Sequence, residues 1–285
     1  MYQKIVVGTD LSKTAEVATD RAAALAERLG AELILVHAGG DPGERLEELA
    51  ERYGAEKIVQ SGPPADVLVS ATESSNADLL VVGSVGMSGA RRFMLGNVPN
   101  KVSHHSPTDL LIVKTDPPKS TGAYNKVLVG TDGSPTAMQA LDIACDLGAK
   151  LGTKVFVVCA YEPPTERELD QMRSDPDDPV AQWSAGKSTS GTPEEFRWRI
   201  AGTSQAEDVL DRASDHAQKR GVEAEVRAVK GSPAEVLISV AEEEDCDLIA
   251  IGNVGMAGAK RFMLGNVPHR ISHHAPTDVL IIRTS

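Results

Sequence analysis

Three glycines and an asparagine stand at a spacing suited to holding an anion by the backbone: Gly83, Gly86, Gly96 and Asn97, in the pattern Gly-x2-Gly-x9-Gly-Asn. Gly83 and Gly86 can adopt angles that bring amides close to a charge. Gly96-Asn97 stands where a helix is expected to begin, with Asn97 as its N-cap. Pro99 falls in the first turn, where a missing N–H costs nothing. First-turn amides have no partner inside the helix and carry the positive end of its dipole, which is what phosphate binding requires. A hydrogen bond to a charged group is worth roughly 1.5–3 kcal/mol. Four or five such donors would reach roughly the −8 kcal/mol of micromolar binding after the costs of association. The same pattern recurs as Gly252, Gly255, Gly265 and Asn266. Arg91, Arg92, Lys260 and Arg261 lie within the two loops, either as phosphate-neutralising charges or as solvated loop residues. No P-loop of the GxxxxGK[ST] type is present.

These loops belong to a duplicated domain. Gly83–Thr115 and Gly252–Thr284 align without a gap at an offset of 169, and 23 of the 33 positions are identical. Gly62-Pro-Pro-Ala-Asp-Val-Leu matches Gly231-Ser-Pro-Ala-Glu-Val-Leu at the same offset, whereas Lys4-Ile-Val-Val-Gly-Thr-Asp matches Lys126-Val-Leu-Val-Gly-Thr-Asp at an offset of 122. The second copy therefore holds about 47 additional residues in its middle. A period this long marks a repeated domain and not a solenoid unit.

Within the first copy the pattern alternates. Strands are expected at 4–8, 32–38, 55–60, 78–82 and 110–113, and helices at 14–29, 43–53, 64–75 and 97–105. Ser12 is the candidate cap of the first helix, and Gly30, Gly54 and Pro107 are stops. The strands are apolar throughout, as in parallel sheets covered on both faces. The expectation is an α/β protein of two tandem doubly wound domains, each a five-stranded parallel sheet of order 3-2-1-4-5 flanked by helices. The domains would span 1–115 and 125–285, joined by the Pro/Gly/Ser-rich linker 116–124, with the second carrying an insert at about 162–202. The last strands, 110–113 and 280–282, should be sheet edges that seek partners. The two repeats would pair there as an internal pseudo-dimer, and two chains would then form a homodimer.

The chain has 285 residues and a formal net charge of −12, which argues against nucleic acid as a partner. No apolar run is long enough to span a bilayer, and no signal peptide precedes the first strand, so a cytoplasmic protein is expected with no membrane partner. Cys145, Cys159 and Cys246 form no CxxC pair and read as small buried hydrophobes. His104-His105 and His273-His274 sit on adjacent helical positions that diverge by about 100°, so neither pair is a metal chelate; a helix-end role is the simpler reading. No nucleophilic triad and no metal site is assigned.

In open α/β sheets ligands bind where the strand order reverses, at the carboxyl ends of strands. With order 3-2-1-4-5 that point lies between the first and fourth strands, where Thr9-Asp10 and Gly83 emerge, as do Thr131-Asp132 and Gly252. The aspartates are candidates for ribose hydroxyls or an adenine amino group, or for capping the next helix.

These residues together resemble the universal stress protein family, over nearly all of both halves except the insert. The resemblance implies a five-stranded parallel sheet and a bound ATP, possible Mg2+ beside the phosphates, and no dedicated catalysis. Thr9 and Asp10 would meet the adenosine, with Ala38 beside the adenine, and Gly83, Gly86, Gly96, Asn97 and Val98 would line the phosphates. The matching positions are Thr131, Asp132, Ala160, Gly252, Gly255, Gly265, Asn266 and Val267. Two departures stand out: Asn97 and Asn266 replace the family's Ser or Thr, and Leu11 stands where the second repeat has Gly133. The implied function is an ATP-binding stress-response protein. The alternatives are a slow ATPase or other nucleotide-dependent enzyme, and a ligand-free assembly module. The insert, with Trp183 and Trp198, is a candidate lid, docking arm or spacer.

Overall fold

In the computed structural model the described residues are 1–85, 95–115, 124–162, 194–254 and 264–283, with 194–205 described by backbone alone. The first repeat comprises β1 (Lys4–Gly8), α1 (Lys13–Leu29), β2 (Glu32–Ala38), α2 (Glu44–Tyr53), β3 (Glu56–Gln60), α3 (Pro64–Ser74), β4 (Leu79–Gly83), α4 (Asn97–His105) and β5 (Asp109–Val113). The second comprises β6 (Lys126–Gly130), α5 (Pro135–Leu151), β7 (Lys154–Tyr161), α6 (Glu194–Lys219), β8 (Ala224–Lys230), α7 (Pro233–Glu243), β9 (Leu248–Gly252), α8 (Asn266–His274) and β10 (Asp278–Ile282). Helix α1 begins where Ser12 accepts from the Ala15 amide and ends at Gly30, whose φ of 69° closes the helix in the left-handed region. Ser134 and Gly152 do the same for α5.

Each repeat forms a parallel sheet of the expected order, but the two are one sheet: β3-β2-β1-β4-β5-β10-β9-β6-β7-β8. Strands β5 and β10 pair antiparallel, with Leu111 opposite Leu280. These two leucines are equivalent under the 169-residue offset, so a pseudo-two-fold axis passes between them, as in an isologous dimer. Neither strand is an edge; the outer strands are β3 and β8.

Because alternate strand residues point to opposite faces, two cores form. Ile5, Val7, Val127 and Val129 pack under α1, α2, α5 and α6, whereas Val6, Leu80, Leu128 and Ile249 pack under α3, α4, α7 and α8. Both cores run across the joint between the repeats. Gly130 fits closely here: a Cβ on it would stand 2.5 Å from Leu237 Cδ1. Gly130→Ala is expected to cost about 1–3 kcal/mol in urea unfolding, because Leu237 must leave its rotamer. Shortening Leu237 in the same background should recover part of that loss.

Polar side chains cross the joint in matched pairs. The Lys114 amide donates to Asp278 Oδ1 and the Arg283 amide to Asp109 Oδ1, each at 2.8 Å. Within each repeat a tyrosine holds the same carboxylate: Tyr124 Oη donates to Asp278 Oδ2 at 2.9 Å, and Tyr2 Oη to Asp109 Oδ2 at 2.8 Å. Burial pushes both carboxyls above their usual range, and for Asp278 the Arg21 guanidinium opposes that shift.

Candidate functional site

Strand order reverses at β1/β4 and again at β6/β9, and the two candidate sites lie at the carboxyl ends of these pairs. In the first, Thr9 is buried and its amide donates to the Val36 carbonyl, which holds the exit of β1 against β2. Asp10 Oδ1 accepts from the Ser12 amide at 3.0 Å and from Ser12 Oγ at 2.5 Å. Asp132 accepts from the Ser134 amide at 2.9 Å. The serines, not the aspartates, cap the helices; each aspartate braces the loop in front of the cap.

Gly83 ends β4, and the next amide, Ser84, donates to Val113 O at 2.7 Å. Gly96 is brought back to this point by its own amide, which donates to Ser84 O at 2.8 Å. The second repeat repeats both bonds, Asn253 to Ile282 O and Gly265 to Asn253 O, each at 2.8 Å. The end of the fourth strand and the start of the following helix therefore converge, although a long loop separates them in sequence. A Cβ on Gly96 would lie 3.3 Å from Ser84 O, and one on Gly265 would lie 3.2 Å from Asn253 O, so both glycines serve close backbone approach. Gly83 and Gly252 pack tightly as well, a Cβ there meeting Thr115 at 3.1 Å and Thr136 at 3.0 Å.

The asparagines do not cap. Gly96 and Gly265 are the N-caps, with ψ of 165° and 162°, and their carbonyls accept from the Asn100 and His269 amides at 3.0 Å. A cap is defined by its extended backbone and its accepting carbonyl, and the glycines supply both. Asn97 and Asn266 are the first helical residues and are exposed. The helix start then offers two amides without intrahelical partners, those of residues 97 and 98 or 266 and 267, since Pro99 and Pro268 carry no N–H. This is fewer than the four or five donors expected. Gly86, Gly255, Arg91, Arg92, Lys260 and Arg261 lie outside the described residues, as does the 163–193 part of the insert, with Trp183; Trp198 is on α6, where the side chains are not described.

Ala38 and Ala160 are partly buried near the ends of β2 and β7, and Val98 and Val267 pack on the same core face. The two sites differ in ways legible only after alignment. His37, which donates from Nδ1 to Thr9 O at 3.0 Å, corresponds to Cys159. Burial, with a contribution from Asp132, pushes the Cys159 thiol up to about 11, so it is no thiolate nucleophile. Leu11 holds a φ of 62° where Gly133 has 78°. A Cβ on Gly133 would meet Val209 Cγ2 at 3.0 Å and Arg212 Nη2 at 3.3 Å, both from α6. Sequence reading missed Arg212 beside this loop, because the helix that carries it follows the insert.

Among the described residues no cluster of three or more His, Cys, Asp or Glu could hold a metal ion. No helix among them is long and apolar enough to cross a membrane.

A sequence model of the Universal stress protein family matches residues 1–51, 44–114 and 123–283. The chain is 31% identical over 166 residues to Universal stress protein Rv1636 of Mycobacterium tuberculosis, covering 57% of this chain and 99% of the relative. It is 26% identical over 313 aligned positions to Universal stress protein Rv2623 of the same organism, covering 99% of this chain and 96% of that one. Among solved structures it is similar to a universal stress protein from Archaeoglobus fulgidus, with a TM-score of 0.64 and 18% identity over 99% of this chain and 98% of that chain. A putative universal stress protein from Pseudomonas aeruginosa aligns with a TM-score of 0.68 and 16% identity, covering 99% and 93% of the two chains.

Proposed function

The chain belongs to the universal stress protein family, and on that premise we propose that it binds ATP as a regulatory or structural ligand, at up to two pseudo-equivalent sites. One observation carries the reading. In each repeat the cap glycine is tied to the residue after the fourth strand, and two helix amides without intrahelical partners follow it near the topological switch point from which Thr9-Asp10 or Thr131-Asp132 also emerge. A nucleotide fits that arrangement: amides for phosphate oxygens, a carboxylate for ribose or adenine, and the small Ala38 or Ala160 for the base. Mg2+ would arrive with the phosphates and offset their charge. No residue is assigned a catalytic role, so any ATP hydrolysis should be slow. The role is one in the cellular stress response, in the cytoplasm. Two chains would associate as a homodimer, which sedimentation at micromolar concentration would test.

Mass spectrometry of ligand released from the purified protein should find an adenine nucleotide, and calorimetry should give micromolar affinity for ATP. ADP, AMP and cyclic AMP arms rank the phosphates. Gly265→Gln would force a side chain against Asn253 O and is expected to weaken binding at the second site roughly 10–100-fold, as one or two charge-assisted bonds are lost. Gly96→Gln should act likewise on the first. Protein that carries no nucleotide and shows no ATP heat would leave the glycines as tight turns only.

A further inference from the structure

Helices α4 and α8 meet across the pseudo-two-fold axis through histidines. The His104 ring of α4 lies 6.0 Å from the His269 ring of α8, and His269 lies 4.5 Å from His273, edge to face at 85°. His273 is 6.2 Å from the exposed His274. The grouping is hidden by the repeat: His104 and His273 are equivalent, but the counterpart of His269 is Asn100. Three polar atoms here, His269 Nδ1, His273 Nε2 and Asn100 Oδ1, are buried without a hydrogen-bond partner among the described residues.

We propose that His104, His269 and His273 form a proton-sensitive latch between the two repeats, closed while His104 and His273 are neutral and loosened when they take up protons. Neutral rings can stack edge to face, whereas imidazolium rings at these separations repel. The surroundings add positive charge. His104 faces His105 and Arg283 as well as His269, and His273 faces His274, Lys114 and His104 as well as His269. Lys114 reaches into the same joint, donating from Nζ to Ser272 O at 3.0 Å. Of the packed elements, α3, which lies against α4, bears the exposed Asp66 and Glu73. Helix α7, packed on α8, bears Glu242 as well as Glu235, which is paired with Arg270 at 2.8 Å, and Glu243, which lies 4.0 Å from Arg227 of β8. The carboxylates of the joint itself are Asp109 and Asp278, held by Tyr2, Tyr124, Arg21 and the Lys114 and Arg283 amides.

Burial first, then neighbouring positive groups, holds His104 and His273 below the ordinary histidine range near 6.5. An opened joint would expose them to water and restore that range. Between the two values the open state binds more protons, so the joint weakens as pH falls below about 6.5. Asp109 and Asp278 act in the opposite sense, since their raised values make the closed state the better proton binder as pH falls towards the ordinary carboxylate range. Because α4 and α8 begin at Gly96 and Gly265, loosening at the histidines would reach the candidate phosphate sites from their far ends.

The test is hydrogen exchange on the full chain without ligand, from pH 7.5 to 5.0, corrected for intrinsic rates. Both readings are ligand-free, so the outcome is independent of nucleotide binding. Peptides covering α4, β5, α8 and β10 should lose protection, with opening increasing by up to about tenfold per pH unit for each extra proton bound. Peptides of the outer strands β3 and β8 should not follow. His269→Asn, which installs the first repeat's residue, should flatten the response, and His104→Asn/His269→Asn/His273→Asn should abolish it while circular dichroism at pH 7.5 remains unchanged. Asp109→Asn should leave the acid loosening in place. Should the triple variant not fold, proton NMR titration of the unmodified chain decides: His104 and His273 must titrate below the ordinary histidine range near 6.5. Protection that does not change with pH, a response retained in His269→Asn, or titration of His104 and His273 at or above the ordinary histidine range would overturn the proposal.

Discussion

Arg21→Ala is expected to destabilise the fold by about 3–5 kcal/mol at pH 7, because it leaves a carboxylate buried without its cation. Arg21 reaches from α1 into the opposite repeat, where Nε lies 3.1 Å from Asp278 Oδ2, and both side chains are 4% exposed. Its guanidinium also lies 4.6 Å from the Tyr124 ring centroid. The attraction itself need not be large, since two charges have been taken from water to make it. The penalty comes from removing one partner only.

Repeat symmetry supplies the control. The residue equivalent to Arg21 is Ile143, yet Asp109, the equivalent of Asp278, remains in place. Asp109 is only partly buried, whereas Asp278 is 3% exposed, so water can do at Asp109 what Arg21 does at Asp278. Arg21→Ile alone should therefore be nearly as harmful as Arg21→Ala. Combined with Asp278→Asn, whose Oδ1 still accepts from the Lys114 amide while its Nδ2 can donate to the Tyr124 hydroxyl oxygen, it should recover most of the loss. The pH dependence follows from sign. Burial already raises the Asp278 carboxyl, and removing Arg21 raises it further. A carboxyl raised in the folded state costs stability as pH rises through that value. The Arg21→Ala deficit in urea unfolding should thus be larger at pH 8 than at pH 5. A deficit under 1 kcal/mol, or one that does not vary with pH, would show the pair to be dispensable.

The elements were legible because their physics is local. Apolar runs became the inner strands of each parallel sheet, and Ser12 capped α1. The outer strands β3 and β8 carry charged residues and are exposed or only half-buried, so the expectation of strands apolar throughout fails at the two sheet edges. The joint was legible too once the 169-residue offset was known, because strands related by a two-fold axis pair with their own equivalents, as Leu111 does with Leu280. The helix starts misled. Asparagine is a strong N-cap type, but capping depends on ψ and on which carbonyl accepts the first helical bond, so Gly96 and Gly265 took that place. The histidine cluster was invisible for a different reason. Searching for chemistry within each copy finds His104-His105 and His273-His274, whereas the group is formed between copies and depends on His269, which the first copy lacks. Arg21 escaped likewise, its partner lying in the other repeat and its counterpart being Ile143.

Gly133→Leu, the exchange that would make the second site copy the first, is expected to cost about 2–6 kcal/mol. Two penalties add. A non-glycine residue held at positive φ costs about 1–3 kcal/mol, and Gly133 sits at 78°. A side chain there also overpacks against α6, where Val209 Cγ2 would be 3.0 Å from the new Cβ and Arg212 Nη2 would be 3.3 Å away, for about 1–3 kcal/mol more. The reverse exchange, Leu11→Gly, should be nearly neutral. It relieves the left-handed backbone at 62°, worth about 1–2 kcal/mol, and gives up the burial of a leucine that is only partly covered, worth a similar amount. The contrast arises because the helix of the second repeat that packs on this loop is α6, longer than its counterpart α2, and it closes over the space that Leu11 occupies in the first. Paired urea titrations measure both. Equal losses at 11 and 133 would mean that the loops are interchangeable and that α6 does not distinguish the second site from the first.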